Sequence, residues 1–539
     1  MSTVATASLP RREKVVLGLL LALDGIVRAA AFLRYRFDSD EPQHLHVAWG
    51  WTAGLVQYRD LFDNHAPLFH ILTAPLLRMT GERPDALLFM RGWMLPLFAI
   101  VIAVTYLVGR RLYDARTAIW GALLLSLFPP YFLKSLEYRT DNLWTALWAV
   151  VLLVLTSGPL TVARMFIVGL LLGTAFCVSM KTILLVATLA LAGAATWALR
   201  ADARASRDAR AIAVGIVMPA VAGAVIVPAL LAAWFVRLGA WRNLVYCVFT
   251  FNELVARTHR HVIGPRIAYP FLVALVLAVA WRFRARTTPW RFFFALACAM
   301  FVITLGGFWI LISPRDFLPI MPVAAIFAAA FLIRQRYFVA FVTAIAIACL
   351  LHIGYYTEWL DDETDEQITM LHQVVKLTHP GEMLMDYKGE TVFRRRPFYF
   401  ILEAIGRAAM RDGLLPDTIP EDMLRARCYV AQADGAFWPA RAKAFLVDHF
   451  IDVGRLRVAG HVIPPEGTFT VVIPGDYVVI HGEGIAAGSL DGTPLTGPRT
   501  LAAGAHRFVR RDPDAHIVFL WAPAFARGFS PYHLRDREF

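Results

Sequence analysis

About 11 stretches of this chain are apolar for long enough to cross a bilayer, and that feature limits the folds open to it more than any other. A membrane-crossing helix needs roughly 20 apolar residues to span the hydrocarbon core. By that measure the spans fall near 15–34, 86–108, 116–133, 142–157, 163–180, 182–199, 211–236, 266–282, 290–312, 316–333 and 337–356. Backbone polar groups in hydrocarbon must pair within the protein, so runs of this length are read as helices. The fold class expected is a multi-pass α-helical membrane protein.

Composition supports this. The 539 residues are 58% hydrophobic and 17% charged. A soluble domain carries about 25% charged residues, so polar surface is short here. The net charge of +12 does not point to nucleic acid. The basic residues sit in short clusters between apolar runs, as cytoplasmic loops do, and anionic membrane lipids are their expected partners. The 5 cysteines show no CxxC pair and no metal spacing, so no disulfide framework is expected.

Charge asymmetry orients the spans. Arg11, Arg12 and Lys14 precede the first run, which continues to about Ala31 with no A-x-A cleavage site, so it reads as an uncleaved span with a cytoplasmic N-terminus. Basic loops then alternate at 109–116, 157–164, 200–210, 282–291 and 334–336. The opposite connections, at 35–85, 134–141, 180–182, 239–265 and 313–316, fall on the outer face with the C-terminal tail. The expected location is a bacterial inner (plasma) membrane. Asp24 and Arg28 interrupt the first span four residues apart, on one helix face, and read as a structural ion pair turned toward the bundle.

The chain divides by composition into residues 1–357, membrane-embedded, and 358–539, a small extracytoplasmic domain. The latter starts as mixed helix and strand and becomes β-rich toward its end. Thr468 to Ile473 and Tyr477 to Ile480 read as strands around a Pro474-Gly475-Asp476 turn, and Asp491-Gly492 is another turn signal. In the first outer loop, 44–54 and 67–79 read as amphipathic helices lying along the membrane surface.

That first outer loop, 35–85, is the candidate catalytic segment. It holds Asp38, Asp40, Glu41, His44, His46, Asp60, Asp63, His65 and His70 directly after an apolar span. Acids and histidines so near lipid are costly to dehydrate, which favours a functional role. The histidines 44, 46 and 70 read as ordinary loop residues. The other outer loops add Lys134, Glu137, Arg139 and Asp141, then Lys181, then Arg257, His259 and His261, then Arg315 and Asp316. Acids with recurring cations suit a site that activates a hydroxyl or holds a divalent metal, and that also binds phosphate.

At these residues the chain resembles a known family. Asp40-Glu41 after the first span, Asp63-Asn-His-Ala-Pro-Leu68, Arg139-Thr-Asp141 and Arg315-Asp-Phe-Leu-Pro-Ile-Met-Pro322 look like the GT-C superfamily of membrane glycosyltransferases. The nearest branch is the protein O-mannosyltransferase and lipid A aminoarabinose transferase group, over about the first 335 residues. The resemblance implies an inverting transfer of a sugar from a polyprenyl-phosphate donor to a glycolipid, polysaccharide or protein acceptor on the outer face. It implies Asp40 as the base that deprotonates the acceptor, with Glu41 shaping the site and Asp141 as a further acid. Lys181, Arg315, Arg139, Arg257 and His65 become the candidates for the donor phosphate. Asp40, Asp141 and Asp63 become the candidate ligands of a divalent metal such as Mg or Mn. One departure is that the family often has a lysine before paired prolines, where this chain has His65, Ala66 and Pro67. Two other classes stay open: a transporter or flippase of polyprenyl-linked glycans, and a non-catalytic accessory protein of envelope glycan assembly.

Overall fold

The computed structural model describes residues 9–202, 209–253, 268–309, 312–358, 361–433, 435–512 and 514–533. The expected spans are helical. In chain order the elements are α1 (Arg11–Arg34), α2 (Asp40–Thr52), α3 (Leu68–Thr80), α4 (Ala86–Gly92), α5 (Leu95–Leu112), α6 (Ala115–Leu127), α7 (Pro129–Lys134), α8 (Thr140–Thr156), α9 (Val162–Phe176) and α10 (Thr182–Leu199). There follow α11 (Met218–Arg237), α12 (Ala268–Phe283), α13 (Pro289–Phe308), α14 (Met321–Leu332) and α15 (Phe338–Thr357). Among the described residues, 7 helical segments are long and apolar enough to cross a membrane, and the shorter apolar helices at 115–127, 140–156, 162–176 and 270–283 occupy further expected spans. This is an integral membrane protein.

The run expected at 116–133 is broken into α6 and α7. Phe128 is extended (φ −67°, ψ 116°), and Pro129 follows at the start of α7. A residue before proline is pushed out of the helical region, so the break falls where the sequence places Pro129 and Pro130. At its other end α6 is capped by Asp114, whose carboxylate accepts the Thr117 N–H at 2.8 Å.

The chain forms two compact units. The first comprises residues 1–38, 64–73 and 88–363; the second comprises 39–63, 74–87 and 364–539.

The first unit is the helical one. Lipid offers no hydrophobic drive between helices, so close packing of small residues must hold them. Helices α9 and α11 do this. A Cβ on Gly169 would lie 1.9 Å from the Ala220 carbonyl oxygen, and one on Gly223 would lie 2.1 Å from that of Phe166. The Asp24 and Arg28 pair turns inward at 3.9 Å. Arg28 also donates to Ser135 Oγ at 2.9 Å and to the Ser126 carbonyl at 3.0 Å, and its guanidinium lies over Phe98 and Phe132. So many fixed partners make this a structural pair, as expected.

The second unit is built on two sheets. β1 (Leu384–Met385), β2 (Val430–Gln432), β3 (Phe450–Asp452), β4 (Leu456–Val462), β5 (Thr468–Val471), β6 (Gly475–His481), β7 (Gly484–Ile485), β8 (Gly488–Leu490), β9 (Thr493–Pro494), β10 (Arg499–Leu501), β11 (Gly504–Arg510) and β12 (Val518–Trp521) are its strands. One sheet runs β1-β2-β4-β12-β6-β10, with β3 on β4 and β7 on β6; the other runs β5-β11-β8-β9. The two strands read on either side of Pro474 exist, but they belong to different sheets instead of pairing. Asp491 and Gly492, both at positive φ (50° and 78°), turn β8 into β9. The core gathers Leu456, Val458, Val478, Ile480, Val518 and Leu520.

Helix α2 does not lie along a surface. Every residue from Glu41 to Gly50 is buried, so it is an interior helix of the second unit. His44, His46 and His70 are likewise buried, not loop residues in water. Asp63, also buried, accepts from Gln57 at 2.7 Å and Gln43 at 3.4 Å, which ties the end of the loop back onto α2.

Candidate active site

The first unit collects charge at the ends of its apolar helices. Arg139, the residue before α8, ion-pairs with Asp38 and approaches Asp141 at 3.4 Å and Glu137 at 3.9 Å. Lys134 at the end of α7 contacts Glu137 at 2.5 Å and Asp38 at 3.5 Å. Arg315 reaches Asp38 at 3.6 Å. Lys181, the residue before α10, pairs with Asp316 and lies 3.4 Å from Asp141. Its ammonium also sits 5.8 Å from the ring centres of Trp144 and Trp309.

Local structure sets this up. Ser313 and Asp316 form a capping box that opens the helical turn Pro314–Ile320, with Asp316 accepting the Ser313 N–H at 2.7 Å. The same carboxylate then reaches Lys181. Arg315 therefore pairs with Asp38 and not with its neighbour Asp316. The 63–68 segment is fastened by Asn64 and Asn252, with Asn252 donating to the Asn64 carbonyl at 3.0 Å, and by the Leu68 N–H on the Cys177 carbonyl at 3.0 Å. His65 stands close enough for its charge to act on Asp141, with Lys181, Arg139 and Arg315.

The cluster thus contains four cations, Lys134, Arg139, Lys181 and Arg315, among four carboxylates, Asp38, Glu137, Asp141 and Asp316. Asp38 alone is held by three of the cations, the arrangement a phosphate oxygen would find attractive. Of the predicted phosphate contacts, Lys181, Arg139, Arg315 and His65 belong to this neighbourhood. Arg257, with His259 and His261, lies outside the described residues.

Asp40 belongs to the second unit. It opens α2, where the helix dipole favours a carboxylate. Its Oδ1 accepts from Lys388 Nζ at 2.7 Å, and the same ammonium reaches Ser39 Oγ at 3.1 Å. Burial would lower the Lys388 ammonium, but Asp40, Glu403 and Glu390 outweigh it and hold it above its ordinary value. The partner of Asp40 is thus a lysine the sequence did not single out. Glu41, next in the helix, is fully buried.

Lys388 is placed by a structured loop. Asp386 accepts the Gly389 N–H and the Thr391 N–H, each at 2.8 Å, and pairs with Arg396 at 3.0 Å. Gly389 has φ +98°, and a Cβ there would meet the His46 ring at 2.7 Å. His46 Nδ1 donates to the Val392 carbonyl at 2.6 Å, and burial pushes its pKa below the ordinary value. One signal for Lys388 was available: the chain has six lysines against many arginines, and Lys134, Lys181 and Lys388 are three of them.

The named acids do not fit a metal site. Among the described residues no three His, Cys, Asp or Glu side chains are grouped to hold an ion. Asp40 is taken by Lys388, Asp141 by Lys181 and Arg139, and Asp63 by two glutamine amides.

Comparison with solved structures places the architecture. ArnT from Cupriavidus metallidurans in the apo state aligns at TM-score 0.56 and 15% identity, over 83% of this chain and 98% of its own. The same protein bound to undecaprenyl phosphate aligns at TM-score 0.54 and 15% identity, over 79% and 94%. This chain has the GT-C fold. The alignment reaches a larger share of the chain than its first 335 residues make up, so the GT-C likeness takes in part of the C-terminal region as well. An archaeal oligosaccharyltransferase, AglB from Archaeoglobus fulgidus, in complex with an inhibitory peptide and a dolichol-phosphate, aligns at the lower TM-score of 0.41 and 14% identity, over 77% and 69%. No family model matches the chain, and no curated protein matches it.

Proposed function

We propose that this protein is an inverting glycosyltransferase that takes a sugar from a polyprenyl-phosphate donor and passes it to an acceptor hydroxyl or amine on the outer face of the membrane. The observation that carries the reading is the cluster of four cations at helix ends, in a chain with the GT-C fold. The solved ArnT complex that shares this fold is bound to undecaprenyl phosphate, which supports a lipid phosphate as the donor's leaving group.

In the proposed step the acceptor oxygen or nitrogen attacks the anomeric carbon from the face opposite the phosphate. The bond from that carbon to the phosphate oxygen breaks, and the polyprenyl phosphate leaves with the electron pair. Asp40 takes the acceptor's proton, and Lys388, 2.7 Å away, holds its carboxylate in position until then. Lys181, Arg139 and Arg315 offset the negative charge that grows on the leaving phosphate. Asp38 and Asp141 hold those cations in place, and the incoming phosphate exchanges with Asp38 on Arg139 and Arg315. No step is assigned to a metal. The Asp24 and Arg28 pair is locked by its partners, so it offers a transport reading no mobile charge.

The test is donor binding. Full-length protein in nanodiscs, titrated with undecaprenyl phosphate and read by native mass spectrometry, is expected to bind one lipid phosphate. Lys181→Met and Arg315→Met should each weaken binding roughly tenfold or more, since a charge-assisted hydrogen bond contributes about 1.5–3 kcal/mol. Unchanged binding in both variants would remove the phosphate assignment.

A further inference from the structure

The charge cluster of the first unit stands at the start of α8, and a different pair of cations stands at its far end. Arg111, in the last turn of α5, donates from Nη1 to the Leu153 carbonyl at 2.9 Å, to Ser157 Oγ at 2.9 Å and to Thr156 Oγ1 at 3.3 Å. It thereby closes the carbonyl end of α8, where a cation is favoured. Arg164, in the first turn of α9, donates from Nη1 to the Pro159 carbonyl at 2.9 Å. A Cβ on Gly158 would lie 2.4 Å from that same nitrogen, so the glycine leaves the space in which the guanidinium lies against the turn. Both side chains are thus anchored through one nitrogen to the segment 153–159. Arg164 stands close enough for its charge to act on Arg111. Among the described residues no carboxylate lies within 4.0 Å of either guanidinium. Asp114, the nearest acid in sequence to Arg111, is turned to the Thr117 N–H, and Glu13 is taken by Arg116. Two like charges held side by side repel, and an anion between them removes that repulsion.

We infer that Arg111 and Arg164 together bind the phosphate of an anionic phospholipid. Among the described residues, Nε and Nη2 of each guanidinium take no protein hydrogen bond, so they remain to donate to phosphate oxygens. The surroundings favour a lipid over a soluble phosphate. Leu107 on α5 and Ile167 on α9 are exposed apolar side chains, each one helical turn from its arginine. The helical segment that ends at Leu112 is also long and apolar enough to cross a membrane. Acyl chains can therefore lie along Leu107 and Ile167 while the headgroup meets the arginines. A zwitterionic headgroup brings its own cation toward the pair, which disfavours it. The site takes a resident lipid of the membrane, and it stands whether or not the chain transfers a sugar.

The experiment titrates purified full-length protein in detergent with phosphatidylglycerol, phosphatidylcholine and sn-glycerol 3-phosphate, read by native mass spectrometry. One phosphatidylglycerol is expected to bind roughly tenfold or more tightly than phosphatidylcholine, and glycerol 3-phosphate more weakly than either. The Arg111→Gln, Arg164→Gln double variant is expected to lose the preference for phosphatidylglycerol. The Arg334→Gln, Arg336→Gln double variant removes the same charge from another exposed basic loop and is expected to keep that preference. Arg164→Gln alone spares the contacts of Arg111 to α8; it is expected to weaken phosphatidylglycerol binding by about fivefold or more at an unchanged melting temperature. Equal loss in the two double variants means a diffuse attraction between basic loops and anionic lipid, and overturns the inference, as does binding like wild type in Arg164→Gln. Glycerol 3-phosphate binding as tightly as phosphatidylglycerol assigns a soluble phosphate and overturns the lipid. No polyprenyl phosphate is present in the titration, so its failure leaves the transferase reading untouched.

Discussion

At Asp40 the carboxylate is held by an ammonium 2.7 Å away, so substitutions on the two sides of that contact ask different questions. The ammonium of Lys388 is raised above its ordinary value, chiefly by Asp40 and against the effect of burial. A cation raised in the folded state stabilises the fold fully below its unfolded pKa, and that stability is lost only as pH climbs through the folded one. The lysine side of the pair therefore stays charged throughout neutral pH and is lost only in strong alkali. Lys388→Met should lower stability by about 1.5–3 kcal/mol at pH 7, measured as a fall in melting temperature, with little change in that difference between pH 6 and 9. A variant as stable as wild type would show that the contact contributes nothing. The acids of the first loop were legible as chemistry because carboxylates beside lipid are rare. Their partners were not: Lys388 lies 348 residues from Asp40, and no local pattern links the two.

At the scale of elements, the loop around Lys388 carries two checkable features. Gly389 has φ +98° with the His46 ring against it, so Gly389→Ala should cost on the order of 1–3 kcal/mol and displace Lys388, seen as a lower melting temperature and weaker transfer. Glu390, in the same loop, has its pKa pushed up to about 7 by burial and by the Asp386 charge, with a Gln432 hydrogen bond opposing. An acid raised in the fold stabilises fully below its ordinary value near 4.5 and loses that contribution as pH rises through about 7. The melting temperature of the wild type should therefore fall between pH 5 and 8, and Glu390→Gln should flatten that slope; equal slopes would contradict the assignment. Helix existence was readable throughout, because apolar runs of span length leave the backbone no other way to pair. What composition hid was the burial of α2. Its charged and aromatic residues read as a surface face, yet tertiary packing encloses them with partners such as Val392 O for His46 and Glu82 for Trp49. The break at Pro129, between α6 and α7, falls inside a run read as one span, because the residues on both sides of it are apolar.

For the whole molecule, the alternation of basic loops predicts an orientation, and the proposal needs the second unit on the outer side. Ala487→Cys should react with a membrane-impermeant maleimide in intact cells, and Arg286→Cys only after lysis; the reverse pattern would place the reaction on the wrong face. Residues 39–63 and 74–87 fold with 364–539, a long-range association that no local signal announces. The central claim is that Asp40 acts as the base in sugar transfer from a lipid phosphate. It is tested most directly by incubating purified wild-type and Asp40→Asn protein with radiolabelled polyprenyl-phosphate sugars and an acceptor extract, and measuring label transferred. The account predicts transfer by the wild type and a fall of at least about 100-fold in Asp40→Asn, the usual weight of a general base, with lipid phosphate binding retained. Undiminished transfer by Asp40→Asn would contradict it.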